Sequence, residues 1–384
     1  MIDGEQLWND RWAWARAQAT KGSVVVLTVG ADVPHEILHA TGVLPVDISS
    51  GYDTNVPPVS LRPNKSGLSS ADLLGAAVDP AAAVILDHLL REDLDFAAAV
   101  VVSSEREAWV RLFQVLRELA RIGEKVPPVH LIDALHFPRA ASRSYTREQF
   151  VRLRDIAAGW TNIAPDRIDT AAAIAATAAV HTSLSALRYA RAAGRISGLT
   201  MLHSCAATRI LPPKEAVAML DAQLEAASAA DPDDRPGLYL WGSPPHSDRL
   251  FRIIESGDWR ISGDEADDCA VTSAYDDAVD SAGDPIGFLV DTYCRRGPLP
   301  TSASPRSRAI DTLRAVRRSG ARVLLGVIRE HDEAPRWDAP ALRTELETAG
   351  IRSVFHEHQP MEPDPAVLHS SLEELSVHPV GASE

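Results

Sequence analysis

The sequence predicts an α/β fold: two Rossmann-like lobes with parallel sheets, joined by an α-helical connector. Three observations predict it: runs of β-branched residues that each precede a helical pattern, the return of this alternation late in the chain, and a long Ala-rich stretch between the two parts. We place the N-terminal α/β lobe and its leading helix at residues 1–144, the helical connector at 145–235 and the C-terminal α/β lobe at 236–384. Lobes of roughly 150 residues are ordinary for α/β domains.

Strands and helices alternate through the first lobe. Continuous apolar runs without polar alternation are typical of strands in a parallel sheet that is covered on both faces. A short helical pattern begins near Pro34 and ends at Gly42, and a strongly periodic one ends at Gly123. The strands are expected at residues 23–30, 43–48, 96–104 and 127–134.

The connector and the second lobe differ in composition. Residues 145–235 hold long Ala-rich helical patterns and no evident strand, and alanine favours helix. The alternation of strands and helices returns at Gly237. Strands are expected at residues 237–244, 258–262, 321–328 and 351–358, and a closing helix at about 365–376.

Composition and charge narrow the function classes. The net charge of −15 argues against a nucleic-acid partner, which requires a basic face. No apolar run reaches the roughly 18–20 residues of a membrane span, and the acidic, aromatic N-terminus lacks the features of a signal peptide. We therefore expect a cytoplasmic protein without a membrane partner.

Cysteine is scarce in this chain. There are three cysteines, Cys205, Cys269 and Cys294, and none belongs to a CxxC pair. An odd and sparse set is typical of structural or incidental thiols rather than of a disulfide framework. Because most iron–sulfur clusters need three or four thiolates, this count also limits cluster chemistry.

Polar residues follow several predicted strands at the carboxyl ends, where open α/β sheets bind ligands. The loop after strand 237–244 is either an anion site, built from backbone N–H groups and serines, or an ordinary serine-capped turn. The helix near Pro34 begins with His35 and Glu36, which either face the cleft or are solvated. The candidates for substrate binding in these loops are Gly30, His35, Glu36, Gly242, Ser243 and Ser247.

Further candidates lie at the ends of the last two strands. His331, Asp332 and Glu333 follow strand 321–328 and could act as acid–base groups or metal ligands. Three consecutive residues seldom bind one metal, so we assign no metal ligands. His356 and His358 alternate along the last strand and could share a face towards the cleft, although structural histidines are the plainer interpretation.

The order of these segments resembles a known family. GADVPHEILHATGVLPVDI (30–48) and GSPPHSDRLFRIIESGDWRISGDE (242–265) are similar to the two signature segments of the 2-hydroxyacyl-CoA dehydratase/benzoyl-CoA reductase subunit family. The PRSRAIDTL helix, the VLLGVI strand and APALRTELETAGI are similar to that family's ending. The resemblance covers most of the chain, with the connector matched only in character.

The resemblance implies two α/β lobes, a heterodimer and an iron–sulfur cluster held between the lobes by three cysteines. An ATP-driven activator supplies the electron that the cluster passes to the thioester of a bound acyl-CoA. In this chain the three positions read differently: Leu61 stands before Lys65 and Ser66, Ser104 ends strand 96–104, and Asp332 follows strand 321–328. Leucine cannot ligate iron, serine does so poorly, and one aspartate does not replace three thiolates.

We therefore expect no cofactor in this chain, and a 4Fe–4S cluster, if present, in a partner subunit. The first hypothesis is a cluster-free subunit of a heterodimeric acyl-CoA lyase or reductase, with a homologous cysteine-bearing subunit as partner; a homodimer is the alternative assembly. In it, Lys65 and Ser66 join the candidates for binding an acyl-CoA-type molecule.

Two other hypotheses remain open. The second is a standalone enzyme without iron, whose catalytic groups would be Ser104, Glu105, His331, Asp332 and Glu333. The third is a non-catalytic protein that binds acyl-CoA or another anion.

Overall fold

The computed structural model describes residues 3–49, 69–75, 77–90, 95–137, 139–265, 283–295 and 304–376. Among the site residues named above, Leu61, Lys65 and Ser66 lie outside these ranges. The placement predicted for the latter two in a substrate site is therefore neither supported nor contradicted by the structure. Cys269 also lies outside the described ranges.

The described residues form two four-stranded sheets in which every pairing is parallel, and this confirms the predicted fold class. Sheet A has the order β2-β1-β3-β4 and sheet B the order β6-β5-β7-β8. The strands are β1 (Val24–Val29), β2 (Val43–Asp47), β3 (Ala99–Ser103), β4 (Val129–Ile132), β5 (Gly237–Gly242), β6 (Arg260–Asp264), β7 (Val323–Arg329) and β8 (Arg352–Gln359).

Helices connect the strands and cover both sheets. In the first half they are α1 (Gly4–Thr20), α2 (His35–Ala40), α3 (Ser70–Leu74), α4 (Pro80–Leu90), α5 (Glu107–Arg121), α6 (Ala140–Thr161) and α7 (Thr170–Ala192). In the second half they are α8 (Gly198–Thr208), α9 (Pro213–Ala229), α10 (Arg249–Glu255), α11 (Pro285–Arg295), α12 (Pro305–Arg318), α13 (Glu333–Thr348) and α14 (Pro365–Ser376). The connector consists of helices joined by short turns, without a strand, and α3 and α8 were not anticipated.

Each sheet carries a hydrophobic core on both faces. In β1, Val25 and Leu27 pack on the side of α4 and α5, whereas Val26 packs on the side of α2, α6 and α11. In β7, Leu325 packs towards α10 and α14, and Leu324 towards α12 and α13. Side chains alternate along a strand, so burial on both faces requires the continuous apolar runs that the sequence shows.

Three helices tie the two halves of the chain together. In α1, Leu7 belongs to the core of sheet A and Trp8 to the core of sheet B. In α8, Met201 and Leu202 divide in the same way. Helix α11 follows sheet B strands in sequence, yet its Leu289 is buried in the core of sheet A. The lobe boundaries at 144 and 235 stay a prediction.

One described segment, Pro165–Ala192, is long and apolar enough by length and composition to cross a membrane. The expectation that no such run exists is wrong by this measure. Core helices of soluble proteins pass the same test, and α7 packs against α2, α8 and α9. Its Ile174 and Leu187 are fully buried within the protein, which favours a core helix.

The two histidines of β8 do not share a face. The imidazole of His356 contacts Ser371 on α14, whereas Nε2 of His358 lies 3.0 Å from Arg336 on α13, on the opposite side of sheet B. The pairing of β7 with β8 shifts register after Val327, and His358 has a φ of 57°. This irregularity breaks the two-residue period and excludes the alternative of a shared face, so the plainer interpretation of two structural histidines remains.

Candidate functional site

The two sheets have equivalent switch points. In sheet A, β1 lies between β2 and β3, and in sheet B, β5 lies between β6 and β7. In each sheet the chain passes from the central strand to the neighbour on one side and then crosses to the other side. The carboxyl end of the central strand, where this reversal occurs, is the switch point. Ligands bind at such points in open α/β sheets. Glycines end both central strands at positive φ, 91° at Gly30 and 117° at Gly242. A Cβ on Gly30 would lie 2.1 Å from Ser103 Oγ, and one on Gly242 would lie 2.3 Å from the Val327 carbonyl oxygen, so both tight turns require glycine.

The predicted residues of the first lobe meet at its switch point. The Glu105 carboxylate accepts hydrogen bonds from the backbone N–H groups of Ala31, at 2.9 Å, and Asp32, at 3.2 Å. Ser104 Oγ donates to Asp133 at 2.5 Å. The Gly30 N–H donates to Ser49 Oγ at 2.8 Å. Gly30, Ser104 and Glu105 therefore lie together, and their polar atoms already hold the loops that follow β1 and β3.

The predicted residues of the second lobe behave similarly. The Ser243 N–H donates to the Val327 carbonyl at 2.9 Å, and its Oγ accepts from the Arg329 N–H at 2.9 Å. Ser247 donates to Glu362 at 2.6 Å. These bonds occupy groups that would bind an anion and so favour an ordinary turn over the anion site. Neither serine is the N-cap residue of α10, which is Asp248.

Four charged residues connect the two switch points, and we call them the interlobe quartet: Asp79, Arg106, Arg329 and Asp332. Arg329 Nη2 lies 3.0 Å from Asp79 Oδ2, and Arg106 Nη1 lies 3.7 Å from the same oxygen. Asp332 Oδ2 lies 3.6 Å from Arg106 Nη1 and 4.0 Å from Arg329 Nη2. Asp79 precedes α4 and Arg106 precedes α5, whereas Arg329 ends β7 and Asp332 precedes α13. The quartet thus joins the carboxyl ends of the two sheets.

Three of the four residues of the quartet are buried, and its two arginines balance its two aspartates in charge. Asp79, Arg329 and Asp332 are 3–7% exposed. Burial alone would raise the pKa of Asp79, but the charges of Arg329 and Arg106 outweigh it and lower the pKa to about 2. Burial lowers the pKa of the nearby His246 to about 3, so this imidazole is neutral near neutral pH and adds no charge.

Glu265 is a further carboxyl at this edge. It follows β6, and its side chain accepts from the Gly242 N–H at 3.4 Å and from Thr312 Oγ1 at 3.5 Å. Burial raises the pKa of Glu265 to about 7, although Arg308 and the Gly242 N–H oppose the shift. A carboxyl that titrates near neutrality can both accept and donate a proton.

His35 and Glu36 occupy the other side of the Gly30 loop. His35 Nε2 lies 2.9 Å from Thr28 Oγ1, and burial, helped by the charge of Arg209, holds the pKa of His35 well below its usual value. Glu36 is 2% exposed and accepts a hydrogen bond from Tyr293 at 3.0 Å. Both side chains are engaged inside the first lobe, so neither is the solvated residue that the sequence left open.

The three consecutive polar residues after β7 separate. His331, at a φ of 66°, and Glu333, the first residue of α13, are exposed, whereas Asp332 is buried in the quartet. Across the described ranges no group of three His, Cys, Asp or Glu side chains is arranged to hold a metal ion. Asp332 is therefore the one of the three that joins the groups at the switch points.

Sequence reasoning missed Asp79, Arg106, Arg329, His246 and Glu265. Two of them carried a signal: Arg329 ends the apolar run VLLGVI, and Asp79 precedes Pro80 at a helix start. A charge that closes a buried strand needs a partner, but the sequence does not say which residue supplies it.

The comparison with known families agrees with the resemblance found in the sequence. A family model described as 2-hydroxyglutaryl-CoA dehydratase, D-component, matches residues 31–375, a range that begins directly after Gly30 and contains the switch point of sheet B and the whole quartet. A search of curated proteins finds no match. The chain belongs to the 2-hydroxyglutaryl-CoA dehydratase D-component family.

Proposed function

We propose that this chain is a cluster-free subunit of a heterodimeric acyl-CoA lyase or reductase. In this role it contributes an interface and part of an acyl-CoA pocket, and a homologous cysteine-bearing subunit carries the 4Fe–4S cluster. We place the complex in the cytoplasm.

The observation that carries the proposal is the donor set at the switch points. Two of the positions that the resemblance assigns to cluster ligands are Ser104 and Asp332, and each already has a charged neighbour. Ser104 Oγ donates to Asp133, and Asp332 lies among the guanidinium groups of Arg106 and Arg329. Guanidinium groups cannot ligate iron, and hydroxyl and carboxylate oxygens are poor substitutes for thiolate sulfur. These residues do not fit an iron–sulfur cluster.

The positions of the cysteines add support. Cys205 lies on α8 among residues that pack against the core of sheet A. Cys294 lies on α11, and its Sγ donates to the Leu135 carbonyl at 3.2 Å. Neither position follows β3 or β7, where the resemblance places cluster ligands.

Affinity purification from the native host under anaerobic conditions tests the assignment. We expect the tagged chain to retain a homologue that has cysteines at the positions of Ser104 and Asp332, with the iron in that homologue. Recovery of the chain alone, or only with copies of itself, would contradict the proposed heterodimer.

A second candidate is a standalone acid–base enzyme, and Glu265 is the observation that favours it. Glu265 follows β6 and lies at the carboxyl edge of sheet B, as Asp332 does. Its pKa of about 7 allows the carboxyl to exchange a proton near neutral pH. Activity of the isolated chain on hydroxyacyl thioesters that disappears in Glu265→Gln would favour this candidate over the first.

A further inference from the structure

We propose that the two lobes open by pivoting about the contact between Arg329 and Asp79, and that the contact between Arg106 and Asp332 separates first. The proposal rests on the geometry of the interlobe quartet and does not depend on the proposed function.

The Arg329–Asp79 contact is anchored on both sides. Asp79 Oδ2 accepts from Arg329 at 3.0 Å, and its Oδ1 also accepts from the Ala81 N–H at 3.1 Å, at the start of α4. Arg329 in turn donates to the Pro244 carbonyl within its own lobe. Both side chains are at most 5% exposed. A charge-assisted hydrogen bond that is held by its own lobe at each end, away from water, resists separation.

The Arg106–Asp332 contact differs in each of these respects. Within the described part of the chain, the Arg106 guanidinium makes no hydrogen bond; it lies 3.7 Å from Asp79 and 3.6 Å from Asp332. Its side chain is 24% exposed. Asp332 Oδ2 is buried and also lacks a hydrogen-bond partner. Separating these two residues therefore breaks no hydrogen bond and gives water or a ligand access to polar atoms that the protein leaves unsatisfied.

The N-terminal ends of α5 and α13 also indicate that the lobes open on the Arg106 side. Arg106 and Asp332 occupy the N-cap positions of α5 and α13, and neither side chain makes a capping hydrogen bond. Asp79, in contrast, caps α4 through the Ala81 N–H. Opening on the Arg106 side thus exposes N–H groups that lack a side-chain cap, and water satisfies them at little cost. Helices α1 and α8, which contribute to both cores, keep the lobes connected during this movement.

Amide hydrogen exchange of the full chain tests the proposal, because it reports local opening segment by segment. In Arg106→Gln we expect several-fold faster exchange in peptides covering 333–338, with peptides covering 80–86 unchanged. Asp332→Asn is expected to reproduce this pattern, and the double variant to open no further than either single variant, since both remove the same contact. Asp79→Asn is expected to accelerate both segments.

The controls separate the proposal from general destabilisation. Arg121→Gln is the matched control, since Arg121 is an exposed arginine of α5 that pairs with Glu118 on the same helix. Salt at 1 M, where the screening length is about 3 Å, is expected to act like Arg106→Gln. If Asp79→Asn does not fold, Arg329→Lys takes its place. Unchanged exchange of 333–338 in Arg106→Gln, or one common pattern for Arg106→Gln and Asp79→Asn, would overturn the proposed pivot.

Discussion

Replacing Glu265 by glutamine is expected to reduce the loss of folding stability between pH 5 and pH 8. Glutamine keeps the shape of the side chain and carries no charge. Its carbonyl oxygen can accept from the Gly242 N–H while its amide NH2 donates to Thr312 Oγ1. Burial raises the pKa of Glu265 from the ordinary 4.5 to about 7. The substitution therefore isolates the free energy of ionising this carboxyl inside the folded protein.

The sign and size of the effect follow from linkage. A carboxyl whose pKa is higher in the folded state binds more protons there, so its stabilising contribution is present below pH 4.5 and is lost as the pH rises through 7. For a pKa that moves from 4.5 to about 7, the wild type loses about 2.5 kcal/mol relative to Glu265→Gln between pH 5 and pH 8.

Urea unfolding at pH 5, 6, 7 and 8 measures this difference as a free energy of unfolding. Glu330→Gln is the matched control, because that side chain is 60% exposed at the end of β7 and is expected to show no such dependence. A difference between wild type and Glu265→Gln that stays constant across this pH range would refute the reasoning, since the carboxyl would then titrate alike in the folded and unfolded states.

Three further predictions concern stability. Asp264→Asn breaks an ion pair with Arg191 whose side chains are both 3% exposed, and we expect urea unfolding to show a loss of roughly 3 kcal/mol. Gly30→Ala places a Cβ at a positive φ and against Ser103 Oγ, and we expect the free energy of unfolding to fall by roughly 2–4 kcal/mol. Ser103→Ala in the same chain is expected to restore part of this loss. Burial lowers the pKa of His246 from 6.5 to about 3, so below pH 6.5 this histidine is protonated in the unfolded chain but not in the folded protein. We expect the free energy of unfolding of the wild type to fall by roughly 1.5 kcal/mol relative to His246→Gln between pH 6.5 and pH 5.

Much of the fold could be predicted from the sequence because its signals are local. Apolar runs such as 23–30 and 321–328 identify buried parallel strands without knowledge of their neighbours. The rule that ligands bind at carboxyl ends of strands directed attention to Gly30 and Asp332, and the family resemblance to Glu105; the structure places all three at the two switch points. Their roles in ligand binding or catalysis stay a prediction.

The quartet could not be predicted because its contacts are not local. Arg329 and Asp79 are 250 residues apart in the sequence, and only the packing of the two lobes shows that they meet. The orientation of His356 and His358 could not be predicted for a different reason. Strand periodicity places them on one face, but the register shift near the end of β8 turns His358 towards α13. Irregularities of this kind depend on the neighbouring strand and leave no clear mark in the residues themselves.

Anaerobic reconstitution of the isolated chain with iron and sulfide, followed by metal analysis and electron paramagnetic resonance, tests the central claim most directly. We expect a colourless protein without stoichiometric iron, and spectra that Asp332→Asn leaves unchanged. A brown protein with several irons per chain and a reducible cluster signal would contradict the proposal that this chain holds no iron–sulfur cluster of its own.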